Sequence, residues 1–153
     1  MSSEVNLHAT AIVIGTRGLL ITGPSGSGKS TLAFNCLAMA KRSGAFAALV
    51  ADDQVFVSID NERVLARRPP AIAGMIELRG CGIGRFESVE RAVMHLAIRM
   101  QESDCERLPP EHETFSLPCG GSLPLIRMRA DFIDPLAAIA ALRPELCAER
   151  PFC

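Results

Sequence analysis

The chain has 153 residues, of which 48% are apolar and 22% are charged. That balance is typical of one globular domain and excludes wholesale disorder. A formal net charge of −1 gives no sign of the basic surface that binds nucleic acid or an anionic membrane, so we expect neither partner.

The sequence shows no export signal. The opening residues are polar and lack the basic and apolar stretches of a signal peptide, and no apolar run approaches the ~20 residues that cross a membrane. The six cysteines form no CxxC pair and have no histidine at zinc spacing. We therefore expect a single domain over residues 1–153, in the cytoplasm, with reduced thiols.

Hydrophobic periodicity predicts an α/β fold. Residues 7–14 and 18–22 are short apolar runs typical of strands, and apolar residues at helical spacing follow a glycine-rich stretch over 23–28. Alternation over 89–100 favours a strand there, although a helix also fits the spacing. The predicted strands cover residues 7–14, 18–22, 45–51, 55–59, 64–65, 75–79 and 89–100, the predicted helices run from 29 to 44 and from 136 to 142, and an exposed loop is expected over 102–122.

Residues 23–30 read Gly-Pro-Ser-Gly-Ser-Gly-Lys-Ser and match the phosphate-loop pattern G-x-x-x-x-G-K-[ST] without deviation, between a predicted strand and a predicted helix. Glycines let main-chain N–H groups point at phosphate oxygens, and the helix N-terminus adds its positive dipole end. Lys29 supplies positive charge to the phosphates, and the Ser30 hydroxyl is a hard oxygen ligand for Mg²⁺. The predicted nucleotide-binding residues are Gly23, Pro24, Ser25, Gly26, Ser27, Gly28, Lys29, Ser30 and Thr31.

Two adjacent carboxylates, Asp52 and Asp53, end the predicted strand 45–51. A right-handed β–α–β crossover would bring this strand beside the strand 18–22, with both carboxylates near the phosphates. One could then orient Mg²⁺ while the other accepts a proton from an incoming hydroxyl. The pattern leaves open which does which, and an acidic turn in solvent is the plainer interpretation of such a pair.

Glu77 and Arg79 precede the glycine-rich segment 80–84. Alternation along a strand would place both side chains on one face, where Glu77 could bind a metal and Arg79 could stabilise a transition state. A simple surface ion pair fits the same spacing equally well.

Four segments together resemble the catalytic domain of HPr kinase/phosphorylase. They are residues 7–9 (Leu-His-Ala), 20–30, 50–53 (Val-Ala-Asp-Asp) and 76–83 (Ile-Glu-Leu-Arg-Gly-Cys-Gly-Ile), the last being that family's distinctive signature. The resemblance is good over residues 7–83 and looser beyond. It implies a P-loop kinase-like mixed sheet flanked by helices, of the type shared with phosphoenolpyruvate carboxykinase.

The resemblance implies an ATP- and Mg²⁺-dependent kinase that phosphorylates a serine of the phosphocarrier protein HPr, or of a similar carrier of the sugar phosphotransferase system. Many family members also reverse the reaction by phosphorolysis, and the domain typically forms homohexamers. The implied catalytic residues are His8, Lys29, Asp52 or Asp53 as the proton acceptor, Arg79, and Arg107, which lies in a segment similar to the family's Asp-x-x-Arg-Leu. The implied metal ligands are Ser30, Asp53 and Glu77.

The chain also departs from the family pattern. Leu-Ile-Arg-Met-Arg-Ala stands at residues 125–130, where the family usually has a Pro-Gly-Arg-Asn motif associated with dephosphorylation, and the N-terminal domain of full-length relatives is absent. A kinase alone and a bifunctional enzyme therefore both remain open. The rival predictions are a P-loop kinase of small molecules, for which the 102–122 loop would form the lid, and a nucleotide-sensing regulator without transfer activity.

Overall fold

The computed structural model describes residues 3–102 and 107–148. Its strands are β1 Val5–Leu7, β2 Ala9–Ile14, β3 Arg17–Thr22, β4 Ala47–Ala51, β5 Val55–Asp60, β6 Arg63–Arg67, β7 Met75–Leu78, β8 Gly82–Arg85, β9 Arg91–Met94, β10 Leu96–Gln101, β11 Thr114–Ser116 and β12 Ser122–Arg129. Its helices are α1 Lys29–Arg42 and α2 Pro135–Leu142, with 3-10 turns at Pro70–Ile72 and Pro144–Ala148. None of the helices in these ranges is long and apolar enough to cross a membrane.

A six-stranded mixed sheet forms the centre, in the order β11-β12-β10-β3-β2-β4. Strands β3, β10 and β12 run parallel, whereas β2 is antiparallel to both of its neighbours. The carboxyl ends of the three parallel strands therefore lie side by side at one edge of the sheet. In open α/β sheets this edge is where ligands bind.

The sheet is covered on both faces, which explains why every residue of β2 is buried. Alternate side chains of β2 point in opposite directions. Ile12 and Ile14 pack with Leu32 and Leu37 of α1, while Ala11 and Val13 belong to a second core that includes residues of β5 and β6. The second core lies beneath a four-stranded antiparallel sheet in the order β1-β5-β6-β9. The domain thus has three layers, with helices on one side and the small sheet on the other.

The expected α/β class with a mixed sheet is confirmed, and α1 begins at Lys29 and buries residues three or four apart, as its sequence pattern predicts. The N-cap of α2 is also as predicted, because Asp134 accepts a hydrogen bond from the Ala137 N–H at 3.0 Å. The region 89–100 is extended, as alternation favoured, but it forms two strands, β9 and β10, separated at residue 95.

Two expectations are wrong in detail. Strand β4 does not lie beside β3, because β2 and β3 form a hairpin first and β2 therefore stands between them. The stretch 102–122 is not loop throughout, since β11 lies within it and pairs with β12. Residues 103–106 of that stretch lie outside the described ranges.

His95 connects β9 and β10 to the start of β3 through two hydrogen bonds. Its N–H donates to the Gly18 carbonyl at 2.8 Å, and its Nδ1 accepts from the Gly18 N–H at 2.9 Å. No residue larger than glycine fits at position 18, because a Cβ on Gly18 would lie 2.0 Å from the Val93 carbonyl oxygen. Burial, together with the positive charge of Arg17, lowers the pKa of His95 below its ordinary value of 6.5.

This geometry predicts a pH-dependent loss of stability. Because the folded pKa of His95 lies below the unfolded one, its contribution is complete above about pH 6.5 and is lost as the pH falls through the folded pKa. We expect the free energy of unfolding, measured by urea denaturation, to fall between about pH 7.5 and pH 5.5. His95→Asn should flatten this slope, and His112→Asn, at an exposed position, should not. An unchanged slope in His95→Asn would contradict this interpretation.

Candidate active site

The phosphate loop, residues Gly23–Ser30, follows β3 at the carboxyl edge of the sheet and leads into α1. All three of its glycines combine a positive φ with tight surroundings, as the last two illustrate. At Gly26, where φ is 80°, a Cβ would lie 3.1 Å from the Arg79 guanidinium. At Gly28, where φ is 100°, a Cβ would lie 2.6 Å from that of Ala130. The loop therefore needs glycine both for its backbone angles and for close approach.

Lys29 is held inside the loop. Its ammonium donates to the carbonyl oxygens of Gly23 and Pro24 at 3.0 and 3.1 Å and lies 3.5 Å from His8 Nε2. The side chain is buried even though it is charged. A buried ammonium held by two carbonyl oxygens and a histidine, with no carboxylate among these partners, is favourably placed to receive an anion.

Asp52 is the buried hydrogen-bond centre of the site and is only 7% exposed. Its Oδ1 accepts from the Thr10 hydroxyl at 2.9 Å and from the Ser30 hydroxyl at 2.6 Å, and its Oδ2 accepts from the Glu77 N–H at 3.0 Å. One carboxylate thus connects β2, the first turn of α1, the end of β4 and β7. Because it is buried and already accepts three hydrogen bonds, this carboxylate is less accessible to an incoming hydroxyl than an exposed one would be.

Asp53 has the opposite character. Its side chain is 60% exposed, its φ is 70°, and its N–H donates to the Thr10 hydroxyl at 3.3 Å. Asp53 Oδ1 lies 3.3 Å from His8 Nδ1. A positive φ is uncommon for a residue other than glycine and costs free energy that the surroundings must offset. Thr10 supplies part of that offset, because its hydroxyl accepts the Asp53 N–H and is itself held in place by Asp52.

Glu77 and Arg79 reach the same space from the hairpin formed by β7 and β8. Alternation along the chain predicts that these two side chains share one face. Both of them line a small pocket of about 90 Å³. Its lining residues are Ser25, Gly26, Gly28, Lys29, Ser30, Thr31, Asp53, Glu77 and Arg79. This phosphate pocket therefore contains two cationic side chains and two carboxylates from three separate parts of the chain.

The structure separates one predicted catalytic residue from the others. Arg107 does not line the phosphate pocket, and instead borders a larger cavity together with Gln101 and Arg129. The neighbouring residues 104–106 of its proposed motif lie outside the described ranges.

Sequence reasoning missed Thr10. This residue is completely buried in β2 and touches both aspartates through one hydroxyl group. The available signal was a single hydroxyl residue within an otherwise apolar strand, Ala-Thr-Ala-Ile-Val-Ile. Such a signal does not reveal its partners, which are more than 40 residues away in sequence.

The two aspartates should differ sharply in what they contribute to stability. Asp52→Ala leaves two hydroxyls and one main-chain N–H without their acceptor, so we expect the free energy of unfolding to fall by about 3 kcal/mol. Asp53→Gly removes an exposed side chain at a positive φ, so we expect stability to be unchanged or slightly raised. Denaturant unfolding of both variants measures the contrast, and equal losses would contradict it.

Comparison with known proteins places this site in context. Residues 1–117 match the sequence profile described as HPr Serine kinase C-terminal domain. The HPr kinase/phosphorylase of Clostridium beijerinckii is 30% identical over 128 residues, and that of Aromatoleum aromaticum is 34% identical over 127 residues. These alignments cover 76% and 74% of this chain but only 40% and 39% of the relatives, so the chain spans about two fifths of their length.

A solved structure is similar in fold. The HPr(Ser) kinase/phosphatase from Coxiella burnetii superposes with a TM-score of 0.74, covering 94% of this chain and 96% of that one, at 24% sequence identity. That similarity confirms the fold, and the profile match over residues 1–117 establishes the family. The chain belongs to the family of HPr serine kinase C-terminal domains.

Proposed function

We propose that this protein is an ATP- and Mg²⁺-dependent serine kinase acting on HPr or a similar phosphocarrier protein of the phosphotransferase system. The observation that carries the proposal is the difference in burial between the two adjacent aspartates at the phosphate pocket. Asp52 is buried and accepts three hydrogen bonds, whereas Asp53 is exposed on the pocket wall. Transfer to a protein hydroxyl requires rigidly held phosphate-binding groups, which Asp52 provides, and an accessible base.

The nucleotide's phosphates would occupy the phosphate pocket. Main-chain N–H groups of the phosphate loop and the ammonium of Lys29 would bind their oxygens. Arg79, whose guanidinium lies over Gly26, would offset charge on the transferring group. The space above Gly26 is available only because that residue has no side chain.

The oxygen groups of the pocket fit Mg²⁺, which prefers hard oxygen ligands and retains waters and substrate phosphates. Among the described residues no group of three histidine, cysteine or acidic side chains could bind a metal alone, which is consistent with an ion that phosphates help to bind. Ser30 and Glu77 would hold the ion, and Asp52 orients the Ser30 hydroxyl. When bound, the ion neutralises charge between the β- and γ-phosphates.

Asp53 would accept the proton of the substrate serine. Sequence considerations named Asp53 both as a base and as a metal ligand, and its exposure and its contact with His8 support the first role. His8 touches both Asp53 and Lys29 and would thus help to fix the base relative to the phosphates. In phosphorolysis the same carboxyl group would return the proton, and that reverse reaction remains the open alternative.

We further propose that the enzyme acts in the cytoplasm as a homo-oligomer, with a hexamer as the state that the family resemblance implies. The support for both statements comes from the family resemblance. Light scattering of the purified protein would decide the oligomeric state.

Transfer to HPr tests the proposed base. With labelled ATP, Mg²⁺ and purified HPr, Asp53→Asn should lose about 10²- to 10⁴-fold in rate while still binding ATP. Lys29→Ala should lose ATP binding itself. Asp60→Asn, an exposed aspartate outside the pocket, is the matched control and should retain full activity. Nearly normal transfer by Asp53→Asn would refute the assigned base, and label on a metabolite, or none, would favour the rival functions.

Thr10 is expected to position both aspartates. Thr10→Val keeps the shape but removes the hydroxyl, so we expect kcat to fall by about 10- to 100-fold with the KM for ATP little changed. Thr10→Ser restores a hydroxyl and should recover most of the activity. The pH–rate profile of Thr10→Val should also shift, since the Asp53 backbone loses its hydrogen-bond partner. Equal activity in the two variants would show that the hydroxyl has no such role.

A further inference from the structure

The phosphate pocket is too small for a whole nucleotide. Its volume is about 90 Å³, whereas sites for cofactor-sized ligands commonly measure about 300–1,000 Å³. A second cavity of about 340 Å³ lies at the same edge of the central sheet. Gln101 and Arg129, the last residues of β10 and β12, border it, and these strands run parallel to β3, which leads into the phosphate loop.

The second cavity, which we call the edge cavity, begins next to the phosphate loop. A Cβ on Gly28 would lie 2.6 Å from the Cβ of Ala130, the residue that follows β12, and 3.6 Å from the Cε of Met100. Met100 and Ala130 are immediate chain neighbours of the cavity residues Gln101 and Arg129. The edge cavity and the phosphate loop are therefore neighbours at the same edge of the sheet, and Gly28 packs against Ala130 where they meet.

The edge cavity combines an apolar interior with an arginine-rich border. Met128, Ala138 and Ala141 give it small or flexible apolar walls, and the ring of Phe132 is 51% exposed at its side. Arg107 is also at the border, so the residue that sequence reasoning assigned to the phosphates lies here. Planar heteroaromatic groups stack on aromatic rings and on guanidinium planes. An exposed phenylalanine beside arginine and alanine is therefore suited to a nucleobase.

We propose that the edge cavity binds the base and ribose of the nucleotide whose phosphates occupy the phosphate loop, with Phe132 as the stacking residue. This inference depends on the proposed function, because it needs a nucleotide in the loop. The alanines at 138 and 141 leave room for the base along one side of α2. Arg107 then contacts the nucleoside instead of the transferring phosphoryl group.

Calorimetric titration with Mg²⁺-ATP and, separately, with inorganic tripolyphosphate and Mg²⁺ tests the assignment. Phe132→Ala should weaken ATP binding by about tenfold and leave tripolyphosphate binding unchanged, because only the base loses a contact. Ala141→Phe fills the cavity and should have the same selective effect. Ile133→Ala is the matched control, since Ile133 is 92% exposed and does not line the cavity.

The outcomes separate this inference from the function on which it rests. Unchanged ATP binding in both Phe132→Ala and Ala141→Phe would overturn the base site, as would an equal loss for ATP and tripolyphosphate. In either case, loss of both ligands in Lys29→Ala would still support the nucleotide-binding loop. Failure of the wild-type protein to bind either ligand would instead overturn the proposed function itself.

Discussion

The site depends on one buried carboxylate. Asp52 accepts hydrogen bonds from a strand hydroxyl, from the first turn of α1 and from the main chain of β7. Those bonds fix the distance between the phosphate loop and the hairpin that carries Glu77 and Arg79. Charge-assisted hydrogen bonds in a buried setting are stronger than neutral ones, and a lost partner is costly there. The geometry of the phosphate pocket is thus set by a residue that does not face it.

Around that fixed centre, the pocket keeps its reactive groups close to solvent. The lining residues Asp53, Glu77 and Arg79 are all exposed. Lys29 alone is buried, where the carbonyl oxygens of Gly23 and Pro24 satisfy its ammonium. Such an arrangement would let the proposed substrates exchange while the frame of the pocket stays rigid, as phosphoryl transfer requires.

The phosphate loop and the main helix could be predicted from the sequence, because each is determined by a contiguous pattern of residues. The phosphate loop is a contiguous motif, and α1 and its burial follow from periodicity. The roles of Asp52 and Asp53 could not be separated, since both end the same strand and only tertiary contacts distinguish them. The place of β2 beside β4, and the hydrogen bonds of Thr10 to both aspartates, likewise depend on pairings between distant segments. Arg107 was assigned by motif alone, and its position depends on the packing of β12 and α2.

A crystal structure with Mg²⁺ and a non-hydrolysable ATP analogue tests the central claim most directly. The account predicts phosphates between the phosphate loop and Arg79, with Ser30 held by Asp52 and the carboxylate of Asp53 facing the γ-phosphate. A nucleotide bound elsewhere, or a γ-phosphate beyond the reach of Asp53, would contradict the account.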